Sequence, residues 1–326
     1  MRSIRAAPKP VSLRTRTVSL TALLGLTSLP GVLLASTALT VTLALAACSP
    51  INLLNRVVPN DTYAFEDGIA YGPEARQKLD VYRPLPPALP VVGARPLVVF
   101  FYGGTWTTGE RASYKFVGEA LASQGAVVVV PDYRLSPQAT YPVFVRDSAR
   151  AVRWAIDNAV RLGADPEKIY VMGHSSGGYN AAMVALDARW LREVGASPKQ
   201  LAGWIGLAGP YEFLPIGNPD AQVAFNWPDT PPDSQPMAHV SAASPPALLM
   251  AASKDKLVDP VRNTRQMVTR LRAAGVPVQT REFDDLSHIT LIGAVASPLE
   301  WIGGPVMPPL LEFLGLPSDA VRKAAR

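Results

Sequence analysis

The sequence predicts an α/β fold with a mostly parallel central sheet and helices on both of its faces. Short, apolar, β-branched runs that suit buried strands alternate with longer stretches of helical periodicity along most of the chain. The chain has 326 residues, of which 48% are hydrophobic and 17% charged, which is enough to bury one large core. No repeat, low-complexity tract or charged linker interrupts residues 61–320, so we predict one domain there.

The first part of this domain supplies three strands and two helices. Strands are predicted at 79–82, 96–102 and 126–131, and the second of these is apolar enough to be central. Helices are predicted at 113–124 and at 144–162, where apolar residues recur with a period of 3.6. Reactive groups are expected on the loops at the carboxyl ends of such strands.

The most informative segment joins a strand to a helix through a tight turn. Residues 168–172 suit a buried strand, and 179–191 contains neither proline nor glycine and suits a helix. Between them, Gly173-His174-Ser175-Ser176-Gly177 has the G-x-S-x-G pattern of a nucleophile elbow, which holds a serine hydroxyl exposed. A Cβ at either glycine would collide with the adjoining strand or helix. Ser175 is therefore the candidate nucleophile.

The remaining part continues the alternation after one irregular insertion. Strands are predicted at 201–207, 246–251 and 278–283, and a helix at 261–274. The insertion, 211–244, contains six prolines together with the aromatic residues Phe213, Phe225 and Trp227. Aromatic residues favour a short lid packed over a cleft, and the alternative is a plain surface loop.

A serine nucleophile needs a base to take its proton and a carboxylate to orient that base. Of the three histidines, His288 lies on the loop after the last predicted strand and is the favoured base. His174 lies inside the elbow, and we expect its side chain to point away from the face of the nucleophile. His239 precedes a strand and lies before any suitable acid loop.

Four aspartates are candidates for the orienting acid. Asp255, just after the strand at 246–251, is favoured. Asp259 could equally cap the helix that begins beside Pro260, and Asp284 and Asp285 lie on the loop of the histidine itself. The chain order Ser175, Asp255, His288 is the order found in α/β-hydrolases.

Attack on an ester or amide carbonyl also needs N–H donors for the developing oxyanion, each contributing roughly 3–4 kcal/mol. One donor is expected from Ser176, the residue after the nucleophile. Another is expected from the loop Phe101-Tyr102-Gly103-Gly104-Thr105-Trp106, whose glycines let the chain approach the site. Taken alone, such a glycine pair is more often an ordinary turn.

These segments together resemble the α/β-hydrolase superfamily. The resemblance covers about 64–314 and rests on residues 102–106, the segment Pro-Asp-Tyr-Arg-Leu-Ser-Pro at 131–137, residues 173–178, Asp255 and His288. It is closest to the carboxylesterase, hormone-sensitive-lipase-like and kynurenine-formamidase-like (BD-FAE) branch. In that branch the loop reads His-Gly-Gly-x-Trp, which implies Gly104 and Thr105 as oxyanion donors. Tyr102 stands in place of the histidine that braces the loop, and Asp132 and Arg134 are expected to form an internal ion pair.

The resemblance implies a serine carboxylesterase that forms an acyl-enzyme on Ser175 and uses a small-molecule ester. One alternative is an arylformamidase of the kynurenine formamidase kind with the same residues. The other is a non-catalytic envelope lipoprotein that uses the fold for binding. No cofactor or metal is expected, because the sequence has no P-loop, dinucleotide fingerprint or metal-spaced His/Cys cluster.

The amino terminus has the pattern of an export signal. Five basic residues within 1–16 precede an uncharged apolar stretch at 17–47, which ends in Leu-Ala-Ala before Cys48, the only cysteine. This resembles a bacterial lipoprotein signal peptide, which implies cleavage before Cys48 and acylation of that residue. The alternative is an uncut membrane anchor, although Pro30-Gly31 interrupts the stretch.

We therefore predict a signal peptide at 1–47, a lipid-anchored tether at 48–60 and a hydrolase domain at 61–326. The domain should face outside the cytoplasm on a bacterial envelope membrane, and Ser49 weakly favours the outer membrane where there are two. Without residues 1–47 the chain has 26 basic and 26 acidic residues, so its net charge of +5 does not indicate a nucleic-acid partner.

Overall fold

Eight strands form one sheet in the order β1-β2-β4-β3-β5-β6-β7-β8. The strands are β1 (Tyr63–Ala70), β2 (Lys78–Pro84), β3 (Arg95–Phe101), β4 (Val127–Pro131), β5 (Ala164–His174), β6 (Gly203–Leu207), β7 (Ala247–Ala252) and β8 (Val278–Phe283). The pairs β1–β2 and β2–β4 are antiparallel, and the other five pairs are parallel. The predicted mostly parallel sheet is confirmed.

The structure is a computed structural model that describes residues 50–85, 95–296 and 306–317. All three ranges belong to a unit that spans Ser49–Arg326. The predicted signal peptide at 1–47 and the predicted lipidation site Cys48 lie outside the described residues. Within those three ranges, none of the helices has both the length and the apolar character that a membrane span requires.

Helices cover the sheet, and β4, β6 and β7 are buried along their whole lengths, as strands covered on both faces are. The helices are α1 (Pro50–Val57), α2 (Lys115–Ser123), α3 (Val143–Asn158), α4 (Ser176–Leu186), α5 (Ala188–Glu193), α6 (Pro219–Ala224), α7 (Gln266–Ala273), α8 (His288–Gly293) and α9 (Met307–Phe313). Short 3-10 turns occupy 111–114, 198–200, 232–234 and 236–239, and a π turn occupies 261–265.

The single helix predicted at 179–191 is wrong in one respect, because the chain forms two helices there. Asp187 has φ −96° and ψ 100°, an extended conformation that ends α4. Its carboxylate then accepts a hydrogen bond from the N–H of Arg189 and caps α5. Asp187 is a residue type that favours a helix start, but the continuous apolar pattern of the segment made one long helix the simpler prediction.

Two elements near the start of the described residues, α1 and β1, were not predicted. Strand β1 contains Glu66, Asp67 and Gly68, and it lies at the edge of the sheet with a register shift between Glu66 and Ile69. Such a strand shows little of the apolar character that identifies buried strands. Helix α1 occupies most of the segment predicted as a tether, and Asn55 joins it to the body with a hydrogen bond to the carbonyl of Ala112 (2.9 Å).

The sheet topology determines where reactive side chains meet. The parallel strands β3, β5, β7 and β8 end their runs at the same edge of the sheet. The segments that follow them are the glycine loop at 102–109, the elbow at Ser175, the loop of Asp255 and the loop at 284–287. This last loop ends at His288, which was predicted on the loop but is the first residue of α8, after the N-cap Ser287. The predicted catalytic residues and oxyanion donors therefore lie at one edge.

Candidate active site

The elbow forms as the sequence predicts. Ser175 follows β5 directly, has φ 55° and ψ −125°, and is followed by the first residue of α4. This backbone conformation is costly for a residue with a Cβ and is characteristic of functional sites. The close approach requires Gly177, because a Cβ there would lie 2.1 Å from the carbonyl oxygen of Phe101. The crowding anticipated for the elbow glycines is confirmed.

Ser175, His288 and Asp255 form a continuous hydrogen-bonded chain. The Ser175 hydroxyl lies 2.8 Å from Nε2 of His288, and Nδ1 of His288 lies 2.6 Å from Oδ2 of Asp255. Both His288 and Asp255 are buried. In the resting arrangement Nδ1–H donates to the carboxylate and Nε2 accepts from the hydroxyl, which makes Nε2 available as a base.

The carboxylate of Asp255 is held by its own loop. Its Oδ1 accepts hydrogen bonds from the N–H groups of Leu257 (2.8 Å) and Val258 (3.0 Å). Burial acts to raise the pKa of Asp255, but hydrogen bonds from His288, Val258 and Leu257 outweigh it and lower that pKa below its usual value. Asp255 is thus an ionised acceptor at neutral pH.

The other candidate acids have different roles. Oδ1 of Asp259 accepts from the N–H of Val261 (2.8 Å) and caps the π turn, as the alternative reading of that residue predicted. Oδ1 of Asp284 accepts from the Ser253 hydroxyl (2.6 Å). Among the described residues, Asp255 is the acidic side chain that bonds to the ring of His288.

The other two histidines form hydrogen bonds to backbone carbonyls. His239 Nε2 bonds to the carbonyl of Asp233 at 2.7 Å. His174 is buried, and its Nε2 donates to the carbonyl of His288 at 2.9 Å, with the two rings 4.8 Å apart. The expectation that the side chain of His174 points away from the face of the nucleophile is wrong, because His174 lines the same cavity as Ser175. Its support of the backbone of His288 was not predicted from the sequence. The only feature of the sequence that could have indicated this role is the position of His174 between the end of a strand and the nucleophile.

His174 should make the protein less stable in acid. Burial, together with the nearby His288, lowers the pKa of His174 from 6.5 to about 3. The unfolded chain therefore takes up a proton below pH 6.5 that the folded chain refuses, so stability falls as pH falls from 6.5 toward 3. The loss is up to about 1.4 kcal/mol per pH unit from this group. We expect wild type to lose about 2 kcal/mol more unfolding free energy between pH 6 and 4 than His174→Gln.

Urea unfolding at several pH values measures this difference. Glutamine keeps an N–H donor for the carbonyl of His288 but does not titrate. Carboxylates that titrate in the same range are common to both proteins and cancel in the comparison. If the unfolding free energies of the two proteins fell in parallel as the pH is lowered, His174 would not be the cause of the loss of stability in acid.

The glycine loop after β3 presents the N–H of Thr105 outward. The carbonyl of Gly104 accepts from the N–H groups of Thr107 and Thr108, both at 3.0 Å, and so points into the loop. Because N–H and C=O point in opposite directions across a trans peptide, the N–H of Thr105 points out of the loop. Gly104 has φ +133°, and a Cβ there would lie 2.3 Å from the carbonyl oxygen of Thr108, so only glycine fits.

The three predicted oxyanion donors border the same cavity as the nucleophile. Gly104, Thr105 and Ser176 line it together with Ser175. Within the described ranges, none of their three N–H groups donates to another backbone carbonyl or to a side chain. The N–H of Ser176 is the first of α4, where the orphan N–H groups of a helix point outward. The three residues thus bring backbone N–H groups without a partner among the described residues to the cavity of the nucleophile.

Tyr102 braces this loop through its hydroxyl. The hydroxyl donates to Oδ1 of Asp132 and accepts from Nη2 of Arg76, both at 2.8 Å. Its ring stacks between those of Tyr114 and Tyr133, with centroids 5.4 and 4.8 Å away. Burial, with the neighbouring Tyr133 and Asp132, raises the pKa of Tyr102 well above its usual value, so the phenol stays neutral. A tyrosine can therefore brace the loop in place of histidine.

The expected ion pair between Asp132 and Arg134 is wrong. Oδ2 of Asp132 pairs with Nη1 of Arg111 at 2.6 Å. Arg134 instead makes two hydrogen bonds to Asp147 on α3, at 2.7 and 2.8 Å. Both residues are structural as predicted, but each bridges to a distant part of the chain. The partners Arg111 and Asp147 lie 21 and 13 residues away along the chain, and no local pattern reveals them.

Trp106 connects the loop, the elbow helix and the insertion. Its indole N–H donates to Oδ1 of Asn180 on α4 at 3.1 Å. The rings of Phe213 and Phe225 pack on it, with centroids 6.0 and 4.7 Å away. The insertion is ordered and includes α6, and its residues 212, 213 and 215–218 line the cavity. The predicted lid is confirmed, except that Trp227 is partly exposed and does not line the cavity.

The cavity over Ser175 has a volume of about 660 Å³. Apolar side chains such as Phe213, Ile216 and Ile292 line much of it. Three charged residues of both signs, Glu212, Asp259 and Arg262, also border it. In the ranges that the structure describes, no group of three or more metal-ligating side chains is placed to hold an ion. A cavity of this size and lining suits a small or medium-sized, largely apolar ligand.

Comparisons with known proteins agree with this architecture. The chain is 30% identical over 233 residues to esterase LipC from Mycobacterium tuberculosis, covering 65% of this chain and 56% of LipC. It is 27% identical over 244 residues to isoprenylcysteine alpha-carbonyl methylesterase ICME from Arabidopsis thaliana, covering 68% and 56%. The chain thus spans a little over half the length of these two relatives.

Solved structures share the fold. Esterase B from Lactobacillus rhamnosis superposes with a TM-score of 0.67 at 20% identity, covering 90% of this chain and 96% of that one. An esterase from Pyrobaculum calidifontis superposes with a TM-score of 0.61 at 25% identity, covering 78% and 89%. The sequence model of the BD-FAE family matches residues 79–271, more than half of the chain. The protein therefore has the α/β-hydrolase fold and belongs to the BD-FAE family.

Proposed function

We propose that this protein is a serine carboxylesterase that hydrolyses carboxylic esters through an acyl-enzyme on Ser175. The observation that carries the proposal is the hydrogen-bonded chain from the Ser175 hydroxyl through His288 to Asp255, with distances of 2.8 and 2.6 Å. Each member has the role that ester hydrolysis needs: nucleophile, base and orienting carboxylate. The relatives named as esterases support the same class of reaction.

The chemistry proceeds in two halves. His288 Nε2 takes the proton of Ser175 while Oγ attacks the ester carbonyl carbon, and the N–H groups of Ser176, Gly104 and Thr105 stabilise the oxyanion. The tetrahedral intermediate collapses, and the alcohol leaves with the proton from His288. Water then gives a proton to His288 and attacks the acyl-serine. Collapse of the second intermediate releases the acid and restores Ser175.

Two other readings are less well supported. An arylformamidase would use the same residues, but the relatives quoted above carry esterase names. A binding protein that kept only the fold would have no use for a buried, fully hydrogen-bonded His288 next to a strained serine. The proposal therefore favours esters.

An active-site labelling experiment tests the proposal. A fluorophosphonate should attach to the folded protein once per chain, and peptide mass spectrometry should place the adduct on Ser175. Hydrolysis of short-chain aryl esters should stop in proportion to labelling, while heat-unfolded protein should not react. Labelling elsewhere, or a formamide hydrolysed faster than any ester of a graded series, would count against a carboxylesterase.

We also propose that Cys48 carries a lipid and that the enzyme faces outside the cytoplasm on a bacterial envelope membrane. The support is the basic, then apolar segment that ends in Leu-Ala-Ala before the single cysteine. Intact mass of the protein isolated from membranes should show a chain that begins at Cys48 and carries acyl groups. A mass that includes residues 1–47 without acylation would favour the uncut anchor.

A further inference from the structure

Large exposed hydrophobic side chains are concentrated near the mouth of the cavity. Five of the eight among the described residues follow the carboxyl ends of β6, β7 and β8, and one of these five, Trp227, is distant in sequence from the cavity lining. The other four are Val223 (53% exposed), Leu257 (72%), Val261 (51%) and Ile289 (48%). Leu257 and Ile289 line the cavity, and the other two lie within two residues of positions that line it. We call these four residues the apolar rim. Exposed apolar side chains clustered at one place mark a surface that contacts a membrane or a protein.

The charges beside the apolar rim are of both signs. Lys254 and Lys256 precede Leu257, and Asp284 and Asp285 precede Ile289, all four of them exposed. Opposite charges at close range largely cancel as a source of attraction for a charged surface. Contact through the apolar rim should therefore depend on burial of apolar area and only weakly on salt.

The start of the described chain lies beside the same cavity. Asn55 of α1 donates to the carbonyl of Ala112 and accepts from the N–H of Phe116 (3.2 Å), and Tyr114 between them lines the cavity. Pro50 is about 8 Å from Asn55 along the helix axis. Two further residues add at most about 7 Å of chain. Chain length alone therefore limits a lipidated Cys48 to within about 15 Å of Asn55.

We propose that the apolar rim rests on the bilayer that holds the lipid of Cys48, so that the cavity receives amphipathic esters directly from that membrane. This rests on the proposed esterase activity and on acylation of Cys48. The substrate class is an ester whose acyl or alcohol part partitions into the bilayer. An acyl chain attaches a protein to a membrane, and a second apolar contact fixes which face meets the lipid.

The test compares two esters on full-length, acylated protein in phosphatidylcholine vesicles. One is a fluorogenic long-chain ester dissolved in the vesicles, and the other is a water-soluble aryl acetate. The double variant Val223→Ser/Val261→Ser changes apolar rim residues that do not line the cavity. We expect it to hydrolyse the vesicle-borne ester about tenfold more slowly, from the loss of two buried side chains. Its rate on the soluble ester should not change.

Val160→Ser is the matched control. Val160 is 75% exposed and precedes β5, at the opposite edge of the sheet from the cavity. Both rates should stay at the wild-type level in this variant. A rim variant that slows both esters equally, or neither, overturns the proposal.

A second variant tests the short connection. A flexible twenty-residue Gly/Ser segment inserted between Ser49 and Pro50 adds a mean reach of roughly 25 Å. We expect several-fold slower hydrolysis of the vesicle-borne ester and an unchanged rate on the soluble one. If wild type hydrolyses neither ester, the proposed activity itself fails. If wild type hydrolyses the soluble ester but leaves the vesicle-borne one intact, only the membrane proposal fails.

Discussion

Replacing Ser175 by alanine is expected to lower kcat for ester hydrolysis by about 10⁶-fold. The change removes the oxygen that lies 2.8 Å from Nε2 of His288, so no acyl-enzyme can form. The donors at Ser176, Gly104 and Thr105 remain, and they should leave a small activity above the uncatalysed rate. Steady-state kinetics with a short-chain aryl ester measure the loss, and fluorophosphonate labelling should vanish in the same variant.

The stability of Ser175→Ala serves as the control for this result. Alanine meets the same positive φ of 55° as serine, so the backbone strain is unchanged. Thermal unfolding should therefore stay within a few degrees of wild type. A folded variant that keeps even a hundredth of the wild-type rate would require another nucleophile.

Replacing Asp255 by asparagine is expected to lower kcat by about 10⁴-fold. The carboxylate accepts the Nδ1–H of His288 at 2.6 Å and so keeps Nε2 unprotonated toward the serine. An asparagine amide can donate to Nδ1, which places the ring proton on Nε2, where it blocks proton transfer from Ser175. The effect should appear in kcat, with KM nearly unchanged.

Asp284→Asn is the matched control for this prediction. Asp284 is an exposed carboxylate that precedes His288 on the same loop, and it accepts a hydrogen bond from the Ser253 hydroxyl. Because it does not bond to the imidazole, its variant should keep kcat within about twofold of wild type. If kcat fell equally in the two variants, the loss would come from the removal of a negative charge near His288 and not from a change in the tautomer of its ring.

The site was predictable to a greater extent than the fold around it. Ser175 was identified from a local pattern whose glycines are required by crowding, and a Cβ at Gly173 would lie only 2.0 Å from the carbonyl oxygen of Gly177. Asp255 and His288 followed from the rule that parallel strands present their carboxyl ends at one edge. These inferences need only element order and a local motif, both of which are visible in one sequence.

The features that escaped prediction depend on distant contacts. The partners of Asp132 and Arg134, Arg111 and Asp147, are determined by how loops and α3 pack. Strand β1 is held by pairing with β2 and shows little apolar alternation of its own. The bond from His174 to the carbonyl of His288 joins positions 114 residues apart. No local pattern in the sequence specifies any of these contacts.

Trp106 lies in the glycine loop, and its indole donates a hydrogen bond to Asn180 of α4. The same ring packs against Phe213 and Phe225 of the insertion. Under the proposed esterase activity, the packing that shapes the substrate cavity and the loop that carries Gly104 and Thr105 share this one side chain. Changes in 211–244 that admit a bulkier substrate should then also displace the proposed oxyanion donors. Relatives that diverge in this insertion should differ in rate as well as in substrate range, even with identical triads.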